Sequence, residues 1–470
     1  MTEQVEIAVV GAGPGGLSAA LAAAQAGAQV ALIDNNRHPG GQYYRQTARA
    51  FRGEPSSHQR EGAALLQQVV AAGARIIAET NVWGAFDDKT LALNDGASTT
   101  YLQARAIILA TGAYDRPVAF PGWTLPGVMT AGAVQTLLKE QRILPGKRFL
   151  LAGTGPLQLV LAAELARAGA QVVAVLEGRG GVTPPLLPHA GALWGQWARL
   201  SEGMSSWLTL ARHRIPYRIG WGIVAAEGAE QIEQATIARL DENWRPIRGS
   251  EEKIACDTIG LGYGFVPFNA LSRLLGARQE WRPELGGQVP VRDAQMQTSA
   301  PGVYAVGDCA GIGGAMLARV EGQVAGIAAA AQLGHRSENL AKVSFDSAQD
   351  EPSPGFRALA RERRFQQMYA ALFTPGAGLY ELSRDDTILC RCEEITQAEV
   401  RRAIALGADT TNEIKLITRG GMGDCQGRMC AHLIANFIAR ETGRSVAQVG
   451  MLPPRPPIFP IPIAALGVAR

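Results

Sequence analysis

Twice in this chain, a short apolar stretch leads into a glycine-rich turn, which is followed by a helical pattern and a second apolar stretch. The first copy occupies residues 6–34 and the second occupies residues 148–177. Each copy has the order and the ~30-residue size of a strand–helix–strand unit that binds a nucleotide at its turn. Because the copies start about 140 residues apart, they predict two separate α/β nucleotide-binding domains and not one large sheet.

The first turn carries a complete dinucleotide fingerprint. Gly11 permits the tight turn, Gly13 lets the backbone approach a pyrophosphate, and Gly16 permits close packing of helix and strand. The helix N-terminus then points free N–H groups at the phosphates, and an acidic residue ending the second strand can bind a ribose. The predicted dinucleotide-binding residues of this unit are Gly11, Gly13, Pro14, Gly15, Gly16 and Asp34.

The second turn departs from this fingerprint. Gly153 and Gly155 are in place, and Glu177 ends the following strand. However, Gln158 stands where the third glycine belongs, and it is expected to push helix and strand apart or to reshape the phosphate loop. Two interpretations stay open: an NAD(P) site, with Glu177 on a ribose or Arg179 on a phosphate, and a degenerate fold that is empty or holds another nucleotide.

Four of the six cysteines form two close pairs, Cys390 with Cys392 and Cys425 with Cys430, separated by 32 residues. Four thiolates without a histidine fit either zinc or an iron–sulfur cluster. Zinc pairs usually leave two to four residues between the cysteines, so the one-residue gap in the first pair argues against zinc. The spacing therefore favours an iron–sulfur cluster, and structural zinc and free thiols are the alternatives.

Basic residues near these cysteines have an electrostatic interpretation. A four-thiolate [2Fe–2S] centre is anionic and gains a further negative charge on reduction, which neighbouring cations favour. The candidates are Arg391, Lys415, Arg419 and Arg428, with a solvated face as the alternative interpretation.

The composition is that of an ordinary globular protein, with 47% hydrophobic and 19% charged residues. A net charge of +3 and scattered basic residues predict no nucleic-acid partner. Neither a signal-peptide pattern nor a membrane-spanning stretch is visible. We therefore expect a cytoplasmic chain.

Three further segments resemble the two-dinucleotide-fold flavoproteins, the superfamily of the disulfide and thioredoxin reductases. They are Pro-Gly-Gly-Gln at 39–42, Ile-Ile-Leu-Ala-Thr-Gly-Ala at 107–113, and the segment 298–308 that ends in Gly-Asp. The resemblance implies a two-dinucleotide-binding-domain α/β fold with bound FAD and NAD(P)H in the second domain. The FAD-site residues that it implies are Gly41, Gln42, Thr111, Gly112, Gly307 and Asp308, with Asp308 on the ribityl chain.

The C-terminal segment resembles the bacterioferritin-associated-ferredoxin-like [2Fe–2S] domain, which is small and mainly helical. The matching runs are Cys-Arg-Cys-Glu-Glu at 390–394 and Thr-Arg-Gly-Gly-Met-Gly-Asp-Cys-Gln-Gly-Arg-Met-Cys at 418–430. The resemblance implies that the ligands of a [2Fe–2S] cluster are Cys390, Cys392, Cys425 and Cys430.

The motifs predict five parts of the chain. They are a split FAD domain (1–115 and 275–335), a second NAD(P)-type domain (116–274), a linker with a helix (336–383), a [2Fe–2S] domain (384–450) and a proline-rich tail (451–470).

This order of domains resembles the α subunits of heteromeric amino-acid and opine dehydrogenases. Octopine and nopaline oxidases, D-hydroxyproline and L-proline dehydrogenases and hydrogen cyanide synthase belong to this group. The resemblance implies a β subunit, similar to D-amino-acid and sarcosine oxidases, that oxidises a secondary amine or amino acid. It implies electron transfer to this chain and two optional components, FMN at the interface and a small third ferredoxin-like subunit.

The chain itself lacks an evident substrate-oxidising group. A disulfide reductase needs a close cysteine pair beside its flavin, and the two remaining cysteines, Cys256 and Cys309, are interpreted as core residues. The catalytic residues are therefore expected on the partner. One alternative is a self-contained NAD(P)H-dependent FAD/[2Fe–2S] reductase, and another is a non-catalytic assembly protein.

Overall fold

The computed structural model describes residues 2–48, 55–180, 187–335 and 354–466 of the chain. Residues 336–353 of the predicted linker lie outside the described residues. The chain divides into two compact units. Unit 1 comprises Met1–Ala113, Val266–Gln367 and Pro453–Arg470, and unit 2 comprises Tyr114–Phe265 and Met368–Leu452.

The strands, in chain order, are β1 (Thr2–Val10), β2 (Val30–Ile33), β3 (Arg75–Ile77), β4 (Asn81–Phe86), β5 (Thr90–Asn94), β6 (Thr99–Leu109), β7 (Ala113–Asp115), β8 (Val128–Thr130), β9 (Arg148–Gly153), β10 (Gln171–Glu177), β11 (Tyr217–Ile219), β12 (Trp221–Glu227), β13 (Gln234–Arg239), β14 (Glu252–Ala255), β15 (Thr258–Gly262), β16 (Phe265–Pro267), β17 (Gln279–Arg282), β18 (Gly287–Pro290), β19 (Val303–Ala305), β20 (Ile388–Cys390) and β21 (Ile395–Thr396). The α-helices are α1 (Pro14–Gln25), α2 (Ser57–Ala71), α3 (Ala131–Gln141), α4 (Pro156–Arg167), α5 (Trp197–Arg212), α6 (Ala270–Leu274), α7 (Gly314–Gln332), α8 (Pro354–Phe373), α9 (Gln397–Ala405), α10 (Thr411–Thr418), α11 (Ala431–Thr442) and α12 (Val446–Val449).

Unit 1 is built on a mainly parallel sheet with the strand order β3-β2-β1-β6-β5-β4, and β19 pairs with the end of β6. Strand β2 is buried along its whole length, as expected for a parallel strand that is covered on both faces. Helix α1 packs tightly against α7 because small residues face each other. A Cβ on Gly322 would lie only 2.1 Å from the Gly15 carbonyl oxygen.

Unit 2 contains a five-stranded parallel sheet in the order β11-β10-β9-β15-β8. The C-terminal hairpin β20–β21 and the helices that follow share one apolar core with this sheet, which we call the common core. Trp123 and Ile259 belong to it from the sheet side, and Val400 and Phe437 belong to it from the helices. The Trp123 indole also donates a hydrogen bond of 2.6 Å to the Ile388 carbonyl. The cysteine-bearing segment is therefore continuous with the second sheet.

These features confirm the predicted fold class. Both expected strand–helix–strand units are present, as β1–α1–β2 and β9–α4–β10, and the C-terminal part is small and mainly helical. The helix expected within the linker is α8. Among the residues that the structure describes, no helix combines the length and the apolarity of a membrane span.

A buried ion pair connects the segment after β18 with α7 in unit 1. Two hydrogen bonds of 2.8 Å join Arg292 and Glu321, and Glu321 is only 1% exposed. Glu321 also accepts a 2.9 Å hydrogen bond from the Gly307 amide, at the turn after β19. The pair therefore positions the turn that precedes Asp308.

Loss of one partner of this pair should destabilise the protein strongly. We expect Glu321→Ala to cost about 3–5 kcal/mol, because the Arg292 charge is left buried without its carboxylate. The exposed pair of Arg282 with Glu280 is the control, and Glu280→Ala should change stability by less than about 1 kcal/mol. Urea unfolding midpoints give both values, and equal losses in the two variants would contradict this expectation.

Candidate functional site

Two glycines of the first turn have no room for a side chain. Gly11 has a φ of +98°, and a Cβ there would lie 2.4 Å from the Ala110 carbonyl oxygen. A Cβ on Gly16 would lie 1.7 Å from the Gly11 carbonyl oxygen. A Cβ at Gly16 would force α1 away from the end of β1, and one at Gly11 would force the turn away from the segment after β6, so only glycine fits at either position.

The glycine between them leaves space for a ligand. The nearest atom to a Cβ on Gly13 would be the Gly41 Cα, at 3.9 Å. Helix α1 begins directly after Gly13 with Pro14, which lacks the N–H that a helix start leaves unpaired. Gly15 and Gly16 follow and are buried. The open turn and the helix dipole together suit a pyrophosphate.

Asp34 follows β2 and is held beside this turn. Its Oδ2 accepts a 2.6 Å hydrogen bond from the Ala12 amide. Its Oδ1 accepts from the backbone and side-chain N–H groups of Asn36, both at 2.8 Å. Since each carboxylate oxygen has about two lone-pair sites, Oδ2 can still accept a hydrogen bond from a ribose hydroxyl.

Four more of the predicted FAD residues lie on loops at the same edge of the sheet. A Cβ on Gly41, whose φ is +60°, would lie 2.8 Å from the Gly13 Cα, so this loop contacts the phosphate turn. Gln42 is exposed. Thr111 and Gly112 follow the carboxyl end of β6, the neighbour of β1 in the sheet.

The predicted ribityl-binding aspartate lies in the turn between β19 and α7. Asp308 Oδ1 accepts hydrogen bonds of 2.9 Å from the amides of Gly313 and Gly314, and burial raises the pKa of its carboxyl group. Gly307 has a φ of +68°, and its amide donates to Glu321. The sequence interpretation missed Glu321, although an acidic residue within an apolar helix was an available signal.

The second turn is occupied by internal contacts. Glu177 Oε2 accepts a 2.9 Å hydrogen bond from the Gly155 amide, and Oε1 accepts one of 3.2 Å from the Arg179 amide. Burial raises the pKa of Glu177. Gln158 is buried, and its Nε2 donates a 3.0 Å hydrogen bond to the Ala152 carbonyl.

Gln158 fits because two glycines make room for it. A Cβ on Gly153 or Gly262 would lie 2.4 or 2.3 Å from the Gln158 amide nitrogen. The two turns also differ in which glycine has a left-handed backbone. In unit 1 it is the first glycine (Gly11, φ +98°), whereas here it is the second (Gly155, φ +92°). Helix and strand stay close and the loop is reshaped, which was one of the two expected outcomes.

The four clustered cysteines come together in unit 2. The Cys390 and Cys430 thiols share a hydrogen bond, as do those of Cys392 and Cys425. Donation from Cys430, opposed by burial, lowers the pKa of Cys390 to about 6, while the same bond and burial raise the pKa of Cys430 well above its usual range. Cys390 and Cys430 are buried, whereas Cys392 is exposed.

Glycines line this group and leave space around the sulfur atoms. A Cβ on Gly423 would lie 2.3 Å from the Cys392 Cβ, and one on Gly421 would lie 3.8 Å from the Cys430 sulfur. The Gly421 amide donates to the Cys390 sulfur at 3.5 Å. In the described ranges, no three Cys, His, Asp or Glu side chains are already arranged around a metal position. The cluster therefore stays a prediction.

The basic residues near the cysteines differ in position. Arg428 interacts electrostatically with Cys425 and Cys392, and burial lowers its pKa. Arg419 instead pairs with Glu393 at 3.1 Å on the surface. Of the four candidates, Arg391 donates to the Thr124 carbonyl at 3.3 Å, and Lys415 lies on α10.

A buried polar group close to Cys430 in sequence was not anticipated. Arg116 Nη1 donates to the Tyr380 hydroxyl at 2.8 Å and to His432 Nε2 at 2.5 Å. Burial, reinforced by the Arg116 charge, holds the pKa of His432 well below its usual range. The His432 ring is therefore neutral, and the Arg116 cation lies beside the first turn of α11.

Comparisons with known proteins agree with this architecture. Residues 5–334 match the family model of the pyridine nucleotide-disulphide oxidoreductases, and residues 386–470 match the sarcosine oxidase A3 domain. The chain is 32% identical to the hydrogen cyanide synthase component HcnB of Pseudomonas aeruginosa, over 97% of each chain. It is 33% identical to one subunit of the opine oxidase of Agrobacterium tumefaciens, over 99% of this chain and 92% of that relative.

Solved structures share the fold. L-proline dehydrogenase from P. horikoshii superposes with a TM-score of 0.70 at 20% identity and covers all of this chain and 81% of that one. T. acidophilum thioredoxin reductase superposes with a TM-score of 0.53 at 19% identity, over 70% of this chain and 99% of that one. The predicted resemblances to the flavoprotein superfamily and to the opine oxidase group are confirmed, and the first family match implies FAD.

Substitution of the third glycine should abolish FAD binding. We expect Gly16→Ala to lower the flavin content of the purified chain by at least about tenfold, because its Cβ cannot fit between α1 and β1. Absorbance of released flavin per mole of chain measures this. The control is Gly203→Ala on α5, where a Cβ meets no atom within 4 Å. It should retain FAD and gain about 0.5–1 kcal/mol of stability. Full FAD occupancy in Gly16→Ala would contradict the site.

Proposed function

We propose that this chain, which belongs to the pyridine nucleotide-disulphide oxidoreductase family, is the electron-accepting subunit of a heteromeric amine dehydrogenase. In this proposal it contains FAD and a [2Fe–2S] cluster. The observation that carries the proposal is that the four clustered thiols interact with one another in a chain that aligns over its length with a subunit of opine oxidase. The complex would oxidise a secondary amine or amino acid of the opine, hydroxyproline or proline type on a partner subunit.

The residues of unit 1 fit FAD. The open turn at Gly13 accepts the pyrophosphate, Asp34 accepts a hydrogen bond from the ribose, and the predicted role of Asp308 is to bind the ribityl chain. The Asp308 carboxyl is already oriented by two backbone N–H groups, so it does not have to be ordered on binding. When bound, FAD and a [2Fe–2S] cluster exchange two electrons and one electron, respectively.

We assign the thiol group to a [2Fe–2S] cluster, because the one-residue gap between Cys390 and Cys392 argues against zinc. The four thiols interact with one another, glycines lie beside them, and one backbone N–H already donates to the Cys390 sulfur. Hydrogen bonds to sulfur and a nearby cation both favour the reduced form of such a cluster, and Arg428 supplies that cation. A reducing cytoplasm would keep these thiols available.

The chain has no redox-active cysteine pair elsewhere, which argues against a disulfide reductase. Only Cys256 and Cys309 remain, and both are buried. Cys309 donates to the Leu109 and Val306 carbonyls at 3.4 and 3.3 Å, and burial raises the pKa of its thiol. We therefore assign substrate oxidation to a β subunit resembling D-amino-acid and sarcosine oxidases. FMN at the interface and a small ferredoxin-like third subunit would complete the complex.

Replacement of any one cluster cysteine should remove the iron. We expect Cys390→Ser, Cys392→Ser, Cys425→Ser and Cys430→Ser to lose most of the roughly two irons and two acid-labile sulfides per chain expected for the cluster. Cys256→Ala, at a buried cysteine outside the group, should retain them. Elemental analysis of anaerobically prepared protein measures both ions, and stoichiometric zinc in place of iron would overturn this assignment.

Amine oxidation should depend on a second polypeptide. The isolated FAD-loaded chain should show less than about 1% of the dye-linked amine dehydrogenase activity of the complex, because it lacks a substrate-oxidising group. Activity should return when the chain is co-expressed with a β subunit that resembles an amine oxidase. Full activity in the isolated chain would refute the division of labour.

A further inference from the structure

The two nucleotide-type turns of this chain provide an internal comparison. In unit 1, the position of the second glycine, Gly13, is open, and a Cβ placed there would have no atom closer than 3.9 Å. In unit 2, a Cβ on the equivalent Gly155 would lie 2.8 Å from the Tyr369 hydroxyl oxygen and 3.6 Å from the Phe373 Cγ. The second glycine is where the backbone must approach a pyrophosphate. In unit 2, aromatic side chains of the chain itself therefore lie at that place.

The end of α8, residues 369–373, is the segment that covers this turn, and it is firmly packed. The rings of Tyr369 and Phe373 at the end of α8 contact each other with centroids 5.0 Å apart. Arg179, which follows β10, donates from Nη1 to the Ala371 carbonyl at 3.1 Å. The Arg179 guanidinium, a candidate ligand for a nucleotide phosphate, therefore donates to the last turn of α8 instead.

The chain beyond α8 is anchored to the same unit. A Cβ on Gly376 would lie 2.5 Å from the Trp244 ring, and a Cβ on Gly178 would also lie 2.5 Å from that ring. Trp244 therefore packs between the end of β10 and the segment that follows α8. Two hydrogen bonds of 2.9 Å between Arg245 and Glu381 complete the attachment.

The acidic residue and the turn are also committed to internal contacts. The Glu177 carboxylate accepts hydrogen bonds from the Gly155 amide at 2.9 Å and from the Tyr217 hydroxyl at 3.3 Å. In addition, Gln158 stands at the position of the third glycine of the fingerprint, and its amide lies against Gly153 and Gly262. A dinucleotide would have to displace the aromatic side chains at Gly155 and the Tyr217 hydroxyl at Oε2 of Glu177.

We propose that Tyr369 and Gln158 are specificity-determining residues that close the second nucleotide fold of this chain to pyridine nucleotides. The occupant of the turn is the end of α8, and the fold serves as a platform for the cysteine-bearing helices. Electrons therefore do not enter this chain from NADH or NADPH. The inference goes beyond the proposed function. It can be tested separately, because nucleotide binding is measured on the FAD-loaded chain without amine or partner.

The test is isothermal titration of the FAD-loaded full chain with NADH, NADPH and ADP-ribose. We expect no saturable binding by the unaltered chain up to about 1 mM ligand. Saturable binding with a Kd on the order of 100 µM or tighter would overturn the proposal. This measurement needs no variant, so it decides the question of closure whether or not a substituted chain folds.

Variants then test the named residues. Tyr369→Ala and the double variant Tyr369→Ala/Gln158→Gly should bind ADP-ribose saturably with a Kd below about 1 mM, with the tighter binding in the double variant. Tyr369→Phe removes only the hydroxyl oxygen at Gly155 and should gain less. Gln367→Ala, at an exposed position of α8, is the control and should gain nothing. Absence of any gain in variants with unaltered circular dichroism would overturn the assignment to Tyr369 and Gln158.

Discussion

The common core of unit 2 is the packing interaction on which the candidate cluster site depends. Cys390 and Cys430 are themselves members of this core, together with Trp123 and Ile259 from the second sheet region. Apolar burial, at about 25 cal/mol per Å², thus helps to fix the positions of these two thiols. The thiol geometry follows from the packing of α11 and β20 against a sheet whose glycine-rich turn is typical of nucleotide binding.

Local sequence determines the parts of the structure that could be predicted. The turn at Gly11 and Gly16 is recognisable because glycine is required by atoms only a few residues away or on the adjacent strand. The cysteine pairs are recognisable from their spacing alone. Gln158 correctly indicated a changed loop, because its size conflicts with the close packing at that position.

The rest depends on contacts between residues that are distant in sequence. His432 meets Arg116 across 316 residues, and Glu321 meets Arg292 across 29. Likewise, nothing in the vicinity of Gly155 announces that Tyr369 covers it. Such contacts are set by the tertiary packing of whole elements, and neither periodicity nor a motif reports them. The second turn therefore allowed two interpretations from the sequence, and the end of α8 favours one.

The placement of two thiols inside the common core and two towards its surface has a consequence for maturation. Because Cys390 and Cys430 are buried members of the common core, we expect them to become accessible only when the C-terminal helices open locally from it. Cys392 is accessible in the closed state. Oxidants or delivery proteins would therefore meet the outer thiols first, and the inner pair would be reached only during biosynthesis or a concerted local unfolding event.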